Sequence, residues 1–80
     1  MSRMTEIFPS MLEGSTQDEI SYIESYVFAG KSTADWITEA ENTLGVISED
    51  PIYHGEPKNN SIMSMARTSI IIAREAYKLL

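Results

Sequence analysis

The fold is decided by residues 61–80, SIMSMARTSIIIAREAYKLL. Apolar side chains recur there at spacings of three and four residues and cover most of the circumference of a helix. A helix that is apolar on nearly every side is buried on several sides, and one other long helix in a chain of 80 residues cannot cover it. The stretch therefore predicts a C-terminal helix over 61–80 and a homo-oligomer whose neighbouring subunits cover that helix.

A second apolar stripe lies upstream, between residues 17 and 44. Thr16 and Glu19 have the spacing of a capping box at a helix start. From Ile20 to Leu44 the apolar residues fall on one helix face, and Gly45 is suited to the position just after a helix end. We predict one helix over 17–44.

Gly30 is the position in this stripe at which the helix could break. Gly30 could end a first helix, and Ser32 could then cap a second one. The apolar stripe stays in phase across Gly30, and a glycine inside a helix costs only about 1 kcal/mol relative to alanine. We therefore predict that the helix continues through Gly30.

The rest of the chain adds a short N-terminal piece and a loop. Pro9 and Gly14 bracket a short N-terminal piece, in which Thr5 to Phe8 could form one helical turn, and turn-forming residues are frequent in 45–60. The predicted fold is a single all-α domain over 1–80, with a short N-terminal helical segment and two long antiparallel helices.

The composition excludes several classes of protein. Apolar residues make up 42% of the chain, as in a folded domain, and there is no cysteine, which excludes disulfides, Cys-ligated zinc and thiol catalysis.

His54 is isolated in the predicted loop, without metal-ligand spacing around it, so it is expected to be an exposed loop residue. No acidic or hydroxyl residues are arranged as in a catalytic site. We expect no metal, no cofactor and no enzymatic activity.

The charge is unevenly distributed along the chain. The formal net charge is −6: residues 1–57 carry eleven acidic and two basic side chains (−9), and residues 58–80 carry four basic and one acidic (+3). A net acidic chain disfavours binding to DNA, RNA or an anionic membrane. The sequence shows no signal-peptide pattern and no apolar run long enough to span a membrane, so we expect a cytoplasmic protein.

A lysine and two hydroxyl residues follow Gly30 and could contact a phosphate. The segment GKST at 30–33 ends like a Walker A loop, but the position five residues before Gly30 is Ser25 and the preceding segment is helical, which excludes an NTPase site. Lys31, Ser32 and Thr33 could still contact a phosphate. The alternative is that they form a solvated helix face or a cap.

Three cations, Arg67, Arg74 and Lys78, lie on one side of the C-terminal helix. Arg74 and Lys78 are expected to pair with the acidic long helix. Arg67 lies among apolar residues, and a buried arginine needs a carboxylate, a phosphate or another bidentate acceptor. A ligand phosphate and an acidic residue of a partner subunit are both open at this point.

Aromatic residues of the first long helix could stack on a nucleobase. Tyr22 and Tyr26 are one turn apart and share a face, and Trp36 widens the apolar stripe. Aromatic residues at helical spacing are more often part of a core, so both interpretations stay open.

Two segments resemble the phage anti-CBASS cyclic-oligonucleotide sponge family. The first is TQDEI at 16–20, followed by Ile23 and Gly30, which looks like the opening of that family's first long helix. The second is ART at 66–68, followed by an apolar helix that ends in AY at 76–77. The resemblance covers roughly residues 15–45 and 60–80.

This resemblance implies a small all-α protein that assembles as a hexamer and binds cyclic di- and trinucleotide signals between protomers without cleaving them. Sequestration of these signals would counter CBASS-type immune defence in the cytoplasm of the phage's host. In the family, a tyrosine and a lysine contact the dinucleotide, and the arginine of Ala-Arg-Thr, here Arg67, serves the trinucleotide. The family's lysine would align near Val27, so Lys31 is the nearest candidate, and no tyrosine precedes Tyr22. The expected ligand-binding residues are Tyr22, Tyr26, Lys31, Ser32, Thr33, Arg67 and Thr68.

A function of a different class also fits the sequence. A small protein-binding inhibitor or adaptor could use the acidic region over 1–57 to dock on a basic host partner. A structural assembly subunit is supported only by the apolar last helix.

Overall fold

The computed structural model describes residues 3–47 and 59–80. Within these ranges the chain forms α1 (Arg3–Ile7), a 3₁₀ turn (Pro9–Met11), α2 (Gln17–Phe28), α3 (Thr33–Leu44) and α4 (Asn60–Lys78), with no strand. The all-α prediction is confirmed, as are the short N-terminal helix and the C-terminal helix. His54 and most of the loop predicted over 45–60 lie outside the described residues. None of the described helices is long and apolar enough to cross a membrane.

The single helix predicted over 17–44 is wrong, because the chain breaks between Phe28 and Thr33. Ala29 and Gly30 both adopt left-handed backbone conformations, with φ of 51° and 82°. Two successive left-handed residues cannot continue a right-handed helix, since each costs roughly 1–2 kcal/mol for an L-residue other than glycine. The in-phase apolar stripe thus spans two helices.

Ser32 starts α3, which is the alternative that the sequence left open. Its hydroxyl oxygen accepts a hydrogen bond from the Asp35 amide N–H at 3.1 Å. At the preceding helix end, the Ala29 amide N–H donates to the Ser25 carbonyl oxygen at 3.0 Å. A capping serine with an acidic residue three positions later is a helix-start signal. Ser32 and Asp35 therefore indicate the start of a second helix, which the continuous apolar stripe does not show.

The other helix ends lie close to their predicted positions. The Glu19 amide N–H donates to the Thr16 hydroxyl oxygen at 3.2 Å, as the capping box predicts. Gly45, with φ of 68°, ends α3. Asn59 Oδ1 accepts from the amide N–H groups of Ser61 and Ile62, at 2.9 and 3.2 Å, and caps α4. These caps satisfy backbone donors that a helix end leaves without partners.

Helix α4 packs against both α2 and α3, and α1 packs against α2. The buried face of α4 consists of Ile62, Ala66, Ile70 and Ala73. Within the same core, the Trp36 ring meets the rings of Phe8 and Phe28 edge-on, with centroid distances of 5.8 Å in both pairs. The N-terminal segment therefore completes the core by inserting Phe8.

Four large apolar side chains on α4 and directly after it are exposed on the single chain. Ile71 and Ile72 are 52% and 50% exposed, and Leu79 and Leu80 are 88% and 85% exposed. The sequence predicted burial on several sides, and within one chain only one side of α4 is buried. Because exposed apolar side chains near one another often mark interaction surfaces, these four residues are candidates for contact with another subunit.

Candidate functional site

Two adjoining cavities form a groove along α3 and α4. The larger, of about 530 Å³, is lined by Leu44, Asn60, Ser61, Ser64, Met65, Thr68 and Ser69. The smaller, of about 190 Å³, is lined by Val27, Lys31, Trp36, Glu39, Ala40, Met65 and Ser69. Met65 and Ser69 line both cavities, so we treat the two as one site, the α3–α4 groove.

The larger cavity is rich in hydroxyl groups. Ser61, Ser64, Thr68 and Ser69 each bring an oxygen that can donate and accept hydrogen bonds. The cavity also borders the N-terminal end of α4, where the helix dipole favours negative charge. This end of the groove can therefore bind the oxygens of a phosphorylated or hydroxylated ligand without a full positive charge.

The smaller cavity contains an ion pair. Lys31 Nζ lies 3.5 Å from Glu39 Oε2, and the two side chains are 40% and 61% exposed. The break between α2 and α3 places Lys31 here, because the chain turns at Ala29 and Gly30 directly before it. Among the residues that line the two cavities, Lys31 is the one with a positive charge.

The structure brings Lys31 and Thr68 of the predicted ligand-binding residues into one groove. Ser32 and Thr33 directly follow Lys31 in the chain but line neither cavity. The Ser32 hydroxyl caps α3, and Thr33 is the first residue of that helix. The cap interpretation of this serine is therefore confirmed, and any contact of its hydroxyl with a ligand stays a prediction.

Arg67 is exposed, contrary to the expectation that its neighbours bury it. It forms no ion pair or hydrogen bond with another described residue. Since successive residues turn by about 100° around a helix, Arg67 and Ser69 point to nearly opposite sides of α4. Arg67 lines neither cavity, although Ser64, one turn before it on α4, lines the larger one.

The two other cations of α4 have partners. Arg74 bonds to Glu19 of α2, which confirms the predicted pairing with the acidic region. Lys78 Nζ instead lies 3.4 Å from Oε1 of Glu75 in its own helix. The predicted pairing of Lys78 with the acidic long helix is wrong, because a neighbour three residues away on the same helix is within closer reach.

Tyr22 and Tyr26 form an aromatic cluster with Tyr77. The ring of Tyr22 lies 6.2 Å from that of Tyr26 and 5.4 Å from that of Tyr77, measured between centroids. Tyr26 is 48% exposed. Trp36 belongs to the core, where it is 7% exposed, and it also lines the smaller cavity, so stacking of a base on it stays a prediction. Tyr77 was not predicted as part of this cluster.

Arg67 and Tyr26 lie on the same side of the molecule, which we call the α2–α4 flank. Arg67 is seven residues before Arg74, so both lie on one side of α4. Arg74 contacts Glu19, and Tyr26 is seven residues after Glu19 on α2. The predicted ligand-binding residues are thus divided between the α3–α4 groove and the α2–α4 flank.

The described part of the chain holds no group of three or more His, Cys, Asp or Glu side chains that could bind a metal ion.

Comparisons with known proteins add no relative: no protein-family model matches the chain, and neither a curated protein nor a solved structure is significantly similar to it. The function is therefore argued from the geometry of the groove and the flank.

Proposed function

We propose that the protein binds cyclic di- and trinucleotides and sequesters them between subunits of a homo-oligomer, without cleaving them. The observation that carries this proposal is that Lys31 and Thr68, predicted from separate parts of the sequence, line adjoining cavities that share Met65 and Ser69. A phage protein of this kind would act as a sponge that counters CBASS-type defence in the host cytoplasm. The resemblance to that family, including its hexameric assembly, supports the proposal.

The chemistry of the groove suits a small cyclic nucleotide better than a nucleic-acid polymer. A polymer requires an extended basic surface, whereas this chain is acidic overall, with a net charge of −6. Two or three phosphates need only a few cations and hydrogen-bond donors at close range. Lys31 supplies the charge, and Thr68, Ser69 and the neighbouring serines supply hydroxyl donors.

The division between groove and flank supports binding between subunits. Arg67 and the exposed Tyr26 ring line neither cavity of the groove. When the flank of one protomer faces the groove of another, their junction offers Lys31 and the groove hydroxyls to a dinucleotide and Arg67 to a trinucleotide, with a base stacked on the Tyr26 ring. The exposed apolar side chains on α4 and directly after it provide surface for such an assembly.

The proposal is tested by incubating the purified protein with cyclic di- and trinucleotides, then heating it and analysing the released nucleotide by mass spectrometry. Native mass spectrometry of the same sample counts subunits and bound ligands. We expect retention and recovery of the intact cyclic nucleotide. Linear product would indicate an enzyme, and the absence of retained nucleotide would contradict the proposal.

Matched variants locate the site. Lys31→Ala and Thr68→Val remove groups that line the groove, and both are expected to weaken retention. Lys78→Ala removes the same charge as Lys31→Ala from an exposed position paired only with Glu75 among the described residues, and should have little effect. Equal retention by all three variants would place the ligand outside the groove.

A protein-binding inhibitor or adaptor is the second candidate, because acidic side chains are exposed along one part of the chain. Glu13, Asp18, Asp35 and Glu39 are exposed on α2, on α3 and before them. This surface could dock on a basic host protein. Stoichiometric enrichment of one host protein in a pull-down, unaffected by added cyclic nucleotides, would favour this candidate over the sponge.

A further inference from the structure

The carboxylate of Glu39 is unexpected in a cavity whose cation should attract phosphate. Its Oε2 atom lies 3.5 Å from Lys31 Nζ, so it offsets the one positive charge in the groove. A site that bound only phosphate would be stronger without a carboxylate at this distance. Glu39 also lines the cavity itself, beside the apolar side chains of Val27, Ala40 and Met65. The smaller cavity therefore combines apolar walls with a donor and an acceptor side by side.

This combination matches the edge of a nucleobase. The bases carry hydrogen-bond donors and acceptors as neighbours on one edge, between two apolar ring faces. Hydrogen bonds to oxygen are about 2.7–3.2 Å long, so two groups 3.5 Å apart can each reach one of two adjacent atoms on that edge. Lys31 has three N–H donors, so it can serve a base and a phosphate together.

Guanine is the base that matches these two side chains best. Its edge presents an acceptor, O6, beside two donors, N1–H and N2–H. An ionised carboxylate only accepts hydrogen bonds and can take both donors, while the ammonium group donates to O6. Adenine offers one donor group and one acceptor on the same edge, with a C–H where guanine has its second donor.

We propose that Glu39 and Lys31 read a guanine base in the smaller cavity, while the sugar and phosphates occupy the larger, hydroxyl-lined cavity. This inference rests on the proposed function and adds its base preference. Glu39 then acts as a specificity residue: it accepts from N1–H and N2–H of guanine, and its charge disfavours ligands that bring only acceptors to that place.

Isothermal titration of the full chain with cyclic di-GMP and cyclic di-AMP tests the preference. The wild type should bind cyclic di-GMP about tenfold more tightly, the size of effect expected for one good bidentate base contact. Glu39→Gln should reduce the ratio to within about threefold, mainly by weakening cyclic di-GMP, because an amide oxygen accepts less strongly and its NH₂ opposes the guanine donors. Glu75→Gln makes the same charge change away from the groove and should keep the tenfold ratio.

The outcomes separate the base preference from the sponge itself. Tight binding of both dinucleotides with equal affinity, or a preference that Glu39→Gln preserves, would overturn the guanine assignment and leave the sponge intact. If neither dinucleotide binds, 5′-GMP and 5′-AMP are titrated at millimolar concentration while amide NMR shifts near Lys31 and Glu39 are followed. Saturable shifts with 5′-GMP alone would support a guanine site without a sponge, and shifts with neither or with both would overturn it.

Discussion

Arg74 Nε donates to Glu19 Oε1 at 3.0 Å, and this ion pair ties the last turns of α4 to the first turn of α2. The Arg74 Nη2 group donates further to the Met11 carbonyl oxygen at 3.1 Å and to Ser15 Oγ at 3.0 Å. The two paired side chains are only 29% and 18% exposed. A single guanidinium group thus connects the end of α4, the start of α2 and the N-terminal segment.

Replacement of Arg74 should destabilise the fold more than replacement of a typical surface residue does. Arg74→Ala breaks hydrogen bonds to a charged and partly buried group, so we expect a loss of about 2–3 kcal/mol in the free energy of unfolding. Arg74→Lys keeps the charge but loses the fork of donors, so it should recover only part of this. Urea denaturation measures both changes.

Lys78→Ala is the control for this prediction, because the Lys78–Glu75 pair is exposed and local. Exposed pairs within a helix contribute about 0.3–0.5 kcal/mol. If the Arg74→Ala protein is as stable as the Lys78→Ala protein, the hydrogen bonds of Arg74 contribute little to the free energy of unfolding.

The bend between α2 and α3 leads to a pair of opposite stability effects. Gly30 has φ of 82° and no atom within 4 Å of an added Cβ, so Gly30→Ala meets only backbone strain and should destabilise by about 1 kcal/mol. Ala29 already has φ of 51° without being glycine. Ala29→Gly relieves that strain and should be neutral or stabilise by a few tenths of a kcal/mol, net of the extra chain entropy. Thermal unfolding compares the two.

A continuous helix through this region would reverse both signs. Alanine would then be the better residue at position 30, by about 1 kcal/mol, and glycine at position 29 would destabilise by a similar amount. The pair of variants therefore tests the bend itself, independently of any ligand.

This bend also marks how far the sequence could predict the structure. The start of α2 and the end of α3 were readable because Thr16 and Gly45 act locally, on backbone groups within one turn. The break at Gly30 could not be predicted in this way. An apolar stripe indicates which residues are buried, but it does not show whether the helix between them is continuous. The local signal of this break is the cap formed by Ser32 with Asp35.

The site was less predictable than the fold, because it depends on how helices are rotated against each other. Spacing in the sequence placed Arg67 and Thr68 together, yet consecutive helical residues point about 100° apart. Thr68 lines the groove and Arg67 does not. Likewise, no local pattern links Lys31 to Ser69, which share a cavity only through the packing of α4 near α3.

The exposed isoleucines of α4 should control the proposed assembly. Ile71→Asp and Ile72→Asp together place two charges at positions that are half exposed on the single chain. We expect the proposed oligomer to dissociate while the helical content is kept, as measured by native mass spectrometry and circular dichroism. Thr38→Asp, at an exposed position on α3, is the control for added charge. An oligomer that survives the double substitution would place the subunit interface elsewhere.

Replacement of Arg67 should affect the binding of cyclic trinucleotides and cyclic dinucleotides differently. Its side chain is exposed and unpaired among the described residues, so Arg67→Ala should change the stability of the chain by less than about 0.5 kcal/mol. Because the resemblance assigns this arginine to the trinucleotide, loss of a charge-assisted contact to phosphate should weaken cyclic trinucleotide binding about 10- to 100-fold. Cyclic dinucleotide binding should change by less than about threefold if Lys31 and the groove hydroxyls hold it.

Titration calorimetry on protein whose assembly has been verified by native mass spectrometry measures both affinities. Lys31→Ala supplies the reciprocal case, in which the dinucleotide should be lost first. Equal loss of both ligands in Arg67→Ala, in a protein that is still assembled, would mean that groove and flank form one site. The ligand would then bridge the two sides of α4 from neighbouring protomers, rather than occupy two separate positions.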